Sequence, residues 1–204
     1  MSEGDLSAVA PARLVAESAG LPGAASAGGL IENSVIRPVR LEDAEELADL
    51  YRANQEHLVP FIEIRDDSFF TADGQRSRIS RAIEASAANE SWRFTILDGE
   101  ELAGTIGVTN VIRGPVQGAK VGYWVAHGRD GRGLATRAVG DVVDFAFVQA
   151  GLHRLEAWTL VDNVASQRVL EKNGFARFGL ARALLLIDGE WRDHLLFERI
   201  ADKP

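Results

Sequence analysis

The chemistry of this chain is concentrated in two short segments. The first is Gly128-Arg129-Asp130-Gly131-Arg132-Gly133, set between a strand-like run and a helix-like run. The free N–H groups of a helix's first turn point at whatever lies ahead of it, and the helix dipole adds positive potential there. Glycine lets an anion approach the backbone without a Cβ in the way. Arg129 and Arg132 have the chemistry to add charge-assisted hydrogen bonds. The set suits a pyrophosphate, but a flexible loop that caps a helix is the plainer reading, and the loop alone leaves both open. The second segment is Asp162-Asn163-Val164-Ala165-Ser166, at the start of the next helix. Asn163 is a good helix cap, and Ser166 falls in the first turn.

Two phosphate-binding patterns can be tested directly. A P-loop requires Gly-x-x-x-x-Gly-Lys-Ser/Thr, and that string does not occur. A dinucleotide fingerprint requires Gly-x-Gly-x-x-Gly/Ala, and Gly131-x-Gly133-x-x arrives at Thr136. Glu156 lies near the offset of an acidic ribose partner, yet the surroundings are rich in hairpins and contain a single crossover.

The positioning elements follow from periodicity. Residues 119–126 read as a strand. Residues 134–150 read as a helix whose inner face is Leu134, Ala135, Ala138, Val139, Val142, Val143, Ala146 and Phe147, with Gly151 as its C-terminal glycine. Residues 153–161 read as a strand and 164–172 as a helix stopped by Gly174. The two strands are joined through a helix, as a parallel pair demands. Both helix starts therefore fall at one sheet edge, and a ligand at the glycine loop can extend along the gap between the strands towards Asn163 and Ser166.

The remaining elements complete a mixed sheet. Strands are expected at 35–39, 92–97, 101–112, 175–187 and 191–200, and helices at 43–53 and 73–88. The stretch 57–71 is expected to be irregular. Asp98-Gly99 predicts a type I′ hairpin turn, and Asp188-Gly189 a second hairpin. The order β-α-α-β-β-β-α-β-α-β-β predicts an α/β (α+β) domain with helices packed on its sheet, over residues 34–204. Residues 1–33 are rich in Ala, Gly and Ser and predict a flexible N-terminal tail.

Composition narrows the function. The chain has 204 residues, enough for one domain with a substantial core. A formal net charge of −8 argues against a nucleic-acid or anionic-membrane partner. There is no cysteine, which removes a thiol nucleophile and cysteine-based metal sites. His57, His127, His153 and His194 show no metal-ligand spacing, so no metal is expected. No apolar run approaches the ~20 residues of a membrane span, and no signal peptide is evident. A cytoplasmic protein is expected.

Taken in order, Gly122-Tyr123-Trp124-Val125, Gly131-Arg132-Gly133-Leu134-Ala135-Thr136, Leu152-His153-Arg154-Leu155-Glu156-Ala157, Asn163-x-x-Ser166-x-x-x-Leu170-Glu171-Lys172-x-Gly174-Phe175 and Asp188-Gly189-Glu190-Trp191-Arg192-Asp193-His194 resemble the GNAT acetyltransferases. Within them the chain is similar to the RimJ/RimL-like branch, which acetylates protein N-termini. The resemblance covers about residues 35–200. It implies a mostly antiparallel sheet splayed between strands 119–126 and 153–161, with helices on both faces. Acetyl-CoA would be the cosubstrate, and its pyrophosphate would meet the amides of Gly131, Arg132, Gly133, Leu134, Ala135 and Thr136, with Arg129 alongside. The pantetheine arm would follow Trp124, Val125 and Ala126 and touch Asn163. The acetyl group would pass directly to a primary amine in a ternary complex.

The same resemblance assigns roles and leaves gaps. Many family members carry a tyrosine seven residues after the Asn, where this chain has Leu170; the Rim-like branch uses a serine three residues after it, where this chain has Ser166. Ser166 is therefore the expected donor to the coenzyme sulfur. The general base is open between Glu56, His57, Glu156 and a water path. The acceptor pocket is expected around 54–70 and 188–191, with a protein N-terminal α-amine as the acceptor and a homodimer as a further partner expectation. A small-molecule amine acetyltransferase and a non-catalytic acyl-CoA-binding module are the competing readings.

Overall fold

The computed structural model describes residues 34–62 and 65–202; the tail expected over 1–33 lies outside them. Seven strands form one sheet in the order β1-β2-β3-β4-β5-β7-β6. They are β1 (Ile36–Pro38), β2 (Trp92–Asp98), β3 (Glu101–Ile112), β4 (Gly118–Val125), β5 (Arg154–Leu160), β6 (Ala176–Ile187) and β7 (Glu190–Ile200). Among the described strands only β4 and β5 pair in parallel. The helices are α1 (Ala44–Ala53), α2 (Gln55–Leu58), α3 (Ala72–Ala87), α4 (Leu134–Asp144) and α5 (Val164–Lys172). No described helix is long and apolar enough to cross a membrane.

Strand alternation sorts the core into two layers. Trp92, Phe94, Ile96, Ile106, Val108, Val121, Leu155 and Ala157 turn to one face, where Leu134, Ala138, Val139, Val142 and Val143 of α4 and Leu170 of α5 cover them. On the other face Leu97, Leu102 and Trp124 meet Leu47 and Tyr51 of α1 and Ile79 of α3. Helices therefore lie on both faces, as expected, and the two faces of the β4–β5 pair are walled by different helices.

Three local expectations need correction. The β2–β3 hairpin is not type I′: Asp98 pairs with Glu101, so the turn residues are Gly99-Glu100. Gly99 has φ 68° while Glu100 keeps negative φ, the type II′ pattern. Asp188 and Gly189 both have positive φ, 47° and 77°, so the last hairpin has the I′ signature. The stretch 57–71 is not wholly irregular, because α2 covers Gln55–Leu58 and a 3-10 turn covers Asp67–Phe70, with the Asp66 carboxylate accepting from Phe69 N–H. Finally, α4 widens into a π turn over Phe145–Gln149 before Gly151 (φ 62°) ends it, and Phe145 packs edge-on against Trp92 and Phe94.

Candidate active site

β4 and β5 are paired only at Gly118↔Arg154, Ala119↔Leu155 and Lys120↔Glu156. Beyond Lys120, β4 continues to Val125 against β3, and β5 continues to Leu160 against β7. The strands have parted, leaving a slot through the sheet with a free strand edge on each side. Ala126 N–H donates to Ala103 O at 2.8 Å. Ladder alternation then turns the backbone groups of Tyr123 and Val125 away from β3, towards the slot. Of the predicted edge residues, Val125 thus presents free main-chain groups, whereas Trp124 and Ala126 are engaged with β3. Trp124's indole is fixed on the α1 face, donating through Nε1 to Tyr51 Oη and Thr105 Oγ1, 3.0 Å from each.

Two buried hydrogen-bonding atoms on the departing β5 edge, Trp158 Nε1 and Thr159 Oγ1, lack a partner among the described residues. Buried polar groups are rarely left so, because each costs about 1–3 kcal/mol.

The glycine loop runs from the end of β4 to α4. Gly128, Gly131 and Gly133 have φ of 82°, 72° and 79°. A Cβ at any of the three would meet nothing within 4 Å, so the left-handed backbone, not crowding, calls for glycine here. Gly133 is the N-cap of α4, and the first ladder bond runs from Arg137 N–H to Gly133 O at 3.0 Å. The amides of Leu134, Ala135 and Thr136 precede that bond and have no helical acceptor. The loop thus combines unused amides with an open surface.

The loop arginines are placed differently from the simplest expectation. Arg129 bonds Asp98 at 3.1 Å and also Glu101, and Arg132 reaches the same Asp98 oxygen at 3.1 Å. Their first role is to tie the loop to the β2–β3 hairpin. Those carboxylates hold the half-buried Arg129 guanidinium above its ordinary pKa, so it stays cationic.

Across the slot, Asn163 caps α5 by accepting from Ser166 N–H at 3.0 Å. That bond fixes the first turn and presents the Ser166 hydroxyl. Ser166 Oγ lies 2.9 Å from Tyr123 Oη, and Tyr123 Oη also lies 3.2 Å from Ser166 O. Tyr123 reaches from β4 to α5 over the parted strands. Burial pushes its phenol up to about 12 despite the opposing hydrogen bond from Ser166, so it is a neutral donor at ordinary pH. The motif that carries Tyr123 was visible in the sequence, but its role was missed. The available signal was alternation, which places Tyr123 on the same face as Ala119 and Val121, towards α4 and α5.

The base candidates separate spatially. Glu156 sits at the last paired register, and its carboxylate accepts from Arg154 Nε at 3.0 Å, on the closed side of the slot. Glu56 and His57 lie on α2, which is tied to the end of β4 by Asn54 Oδ1 accepting from His127 N–H at 2.7 Å. The His57 and His127 rings are 5.3 Å apart. Leu170 is fully buried, and His194 is buried with Nδ1 3.0 Å from Arg192 O, so both serve the interior. Among the described residues no group of three or more His, Cys, Asp or Glu is placed to hold a metal ion.

An opened parallel pair, an anion-suited loop at one lip and a hydroxyl held by a second hydroxyl at the other define a cleft for an elongated, anionic group donor. The chain belongs to the GNAT acetyltransferases: residues 34–176 match the family model described as "Acetyltransferase (GNAT) domain". Probable N-acetyltransferase YjcK of Bacillus subtilis (strain 168) is 40% identical over 161 residues, covering 78% of this chain and 89% of that one. The crystal structure of ribosomal-protein-S5-alanine acetyltransferase from Vibrio fischeri matches with a TM-score of 0.81 at 32% identity, covering 85% of this chain and 98% of that one. Mycobacterium smegmatis RimJ in complex with CoA-disulfide matches with a TM-score of 0.78 at 34% identity, covering 81% of each chain. The chain is an acetyltransferase, and its relatives include RimJ-type ribosomal-protein enzymes.

Proposed function

We propose that the protein transfers the acetyl group of acetyl-CoA directly to the N-terminal α-amine of a protein or peptide, in a cytoplasmic setting. The observation that carries the reading is the slot, with free loop amides at one lip and the Ser166–Tyr123 hydroxyl pair at the other. The identity of the acceptor is supported by the similar proteins, whose names specify ribosomal-protein acetylation. When bound, acetyl-CoA supplies the acyl group as an activated thioester.

The chain's own residues then divide the work. The amides of Leu134, Ala135 and Thr136, behind the open glycines Gly131 and Gly133, hold the pyrophosphate. Arg129 and Arg132, paired with Asp98 and Glu101, keep the loop in place, and the α4 dipole supplies the positive potential. The slot-facing main chain of Val125 orients the arm, and its N–H polarises the thioester oxygen as negative charge builds there. The amine nitrogen forms its bond to the acyl carbon, the C–S bond breaks, and the amine gives up a proton. Ser166 Oγ–H donates to the departing sulfur while Tyr123 Oη–H donates to Ser166 Oγ, so the serine's own hydrogen is directed to the leaving group. An α-amine has a pKa near ~8 against ~10.4 for lysine, so a useful fraction is neutral near pH 7 and water suffices as proton acceptor. Glu156, paired with Arg154, is not assigned this task.

The test is a coenzyme A release assay over peptides with free α-amines, the same peptides with blocked N-termini, polyamines and aminoglycosides. Turnover is expected with the free peptides alone. Release with polyamines or aminoglycosides in place of peptides would overturn the acceptor assignment, and binding of acetyl-CoA without release on any amine would overturn catalysis.

A further inference from the structure

A cavity of about 440 Å³ lies between α3 and strands β2–β4, lined among others by Arg78, Arg81, Arg93, Thr105, Thr109 and Gly122. Its size is that of a small-ligand site. Among the described residues the lining contains three guanidinium groups and no carboxylate, in a chain whose net charge is −8. None of the three forms an ion pair among the described residues. Arg78 stacks over the Phe69 ring at 4.7 Å, which holds it without neutralising it. Arg81 bonds Ser77 O only through Nε, at 3.3 Å. Burial together with the charges of Arg65, Arg81 and Arg93 holds the Arg78 guanidinium below its ordinary range, against a smaller opposing effect of Asp66. Like charges gathered with only the weaker counter-charge of Asp66 are costly, and such a cluster suits a site where an anion will meet it.

The floor of the cavity has been cleared. Gly107 and Gly122 stand opposite each other on β3 and β4, with Arg93 opposite Gly107 on β2. Neither glycine has positive φ, and a Cβ at Gly122 would meet nothing within 4 Å. The backbone therefore does not require glycine at 122. A strand glycine without such a need marks the close approach of something else. The location is also specific. Gly122 lies beyond the last β4–β5 pair and on the same face as Trp124, and Thr105 of the cavity wall bonds the Trp124 indole. The cavity thus opens beside the slot on the α1–α3 face, opposite the face where α4 and α5 begin. With the group donor held from the α4–α5 side, an acceptor amine enters the slot from the side on which the arginines wait.

We propose that this cavity is a second acceptor subsite, which binds carboxylate side chains on the residues just after the acetylated N-terminus and so selects acidic N-terminal peptides. The proposal rests on the α-amine reading above. Arg81 and Arg93 supply the charge-assisted hydrogen bonds, and the cleared floor at Gly107 and Gly122 admits the peptide main chain.

Two peptides with the same first residue test it, one with Glu or Asp at positions two to four and one with Gln or Asn there. Wild type should show a KM lower by about ten-fold or more for the acidic peptide, the equivalent of one charge-assisted hydrogen bond, at similar kcat, and added salt should shrink the difference. Arg81→Gln and Arg93→Gln should each move the kcat/KM ratio of the two peptides towards one. Arg81→Glu should move it further, favouring the neutral peptide, a gain that misfolding cannot produce. Equal KM values in wild type, or a ratio unmoved by Arg81→Glu, would overturn this proposal and leave the α-amine reading standing. Acetylation of neither peptide, with turnover on other amines, would overturn both.

Discussion

Removing the Tyr123 hydroxyl tests the least conventional part of the mechanism. In Tyr123→Phe the ring stays in its packed position, but Ser166 Oγ loses its 2.9 Å partner. The hydroxyl of Ser166 is then free to donate back to main-chain acceptors instead of to the sulfur. A neutral hydrogen bond of this kind is worth about 0.5–1.5 kcal/mol net. If that energy is spent on orienting Ser166 in the transition state, kcat should fall about ten-fold, since ~1.4 kcal/mol corresponds to one decade. Ser166→Ala removes the donor itself and should lower kcat about 10²-fold, at the lower end of general-acid effects. Acetyl-CoA affinity should be nearly unchanged in both, because loop amides carry the binding. The decisive quantity is the double variant. A tyrosine that acts through the serine adds nothing once the serine is gone, so the double variant should match Ser166→Ala, giving a coupling of about 1.4 kcal/mol, the whole of the tyrosine's effect, in a double-mutant cycle. Stopped assays of coenzyme A release at saturating peptide measure it. A double variant slower by the product of the two single effects, or wild-type kcat in Tyr123→Phe, would refute the relay.

Other perturbations have defined outcomes. Gly133→Ala places a Cβ on a residue at φ 79°, in the space before the free α4 amides; acetyl-CoA affinity by calorimetry should fall at least ten-fold, with melting lowered modestly. Gly104→Ala should destabilise by about 1–3 kcal/mol in denaturant titration, because its Cβ would fall on the Trp124 carbonyl oxygen and force β4 away from β3. Tyr123 is neutral in the fold up to about 12, whereas the unfolded phenol ionises near its ordinary value of 10. Its contribution to stability is complete below pH 10 and is lost as pH rises through 12, so Tyr123→Phe should lose less stability than wild type over that window. Asp98→Asn should leave the fold intact, since solvent-accessible surface pairs contribute about 0–1 kcal/mol, but should raise the KM for acetyl-CoA by loosening the arginine-braced loop.

Much of the architecture was legible because it follows from local rules. The spacing of Leu134, Ala138, Val142 and the other small apolar residues dictates a helix covering the sheet, and a helix between β4 and β5 dictates their parallel pairing. Asn163 capping Ser166 N–H follows from the residue types and their three-residue spacing. What was not legible depends on long-range register. That Asp98 would neutralise two loop arginines requires the β2–β3 turn to lie beside a segment more than thirty residues away. The Gly99-Glu100 turn differs from the expected one because cross-strand pairing of Asp98 with Glu101, not the Asp-Gly dipeptide, sets the loop. The arginine cavity is assembled from α3, β2, β3 and β4, so no single segment announces it. Tyr123 lies between the two, since its face is readable from alternation but its partner on α5 is not.

The claim that the slot delivers acetyl to an N-terminal amine is tested most directly by a peptide that offers both kinds of nitrogen. Such a peptide carries a free α-amine and an internal lysine, and fragmentation mass spectrometry after incubation with acetyl-CoA locates the added group. The account predicts a single acetyl on the α-nitrogen, and none on the same peptide with a blocked N-terminus. Acetylation of the lysine, or of the blocked peptide, would contradict it.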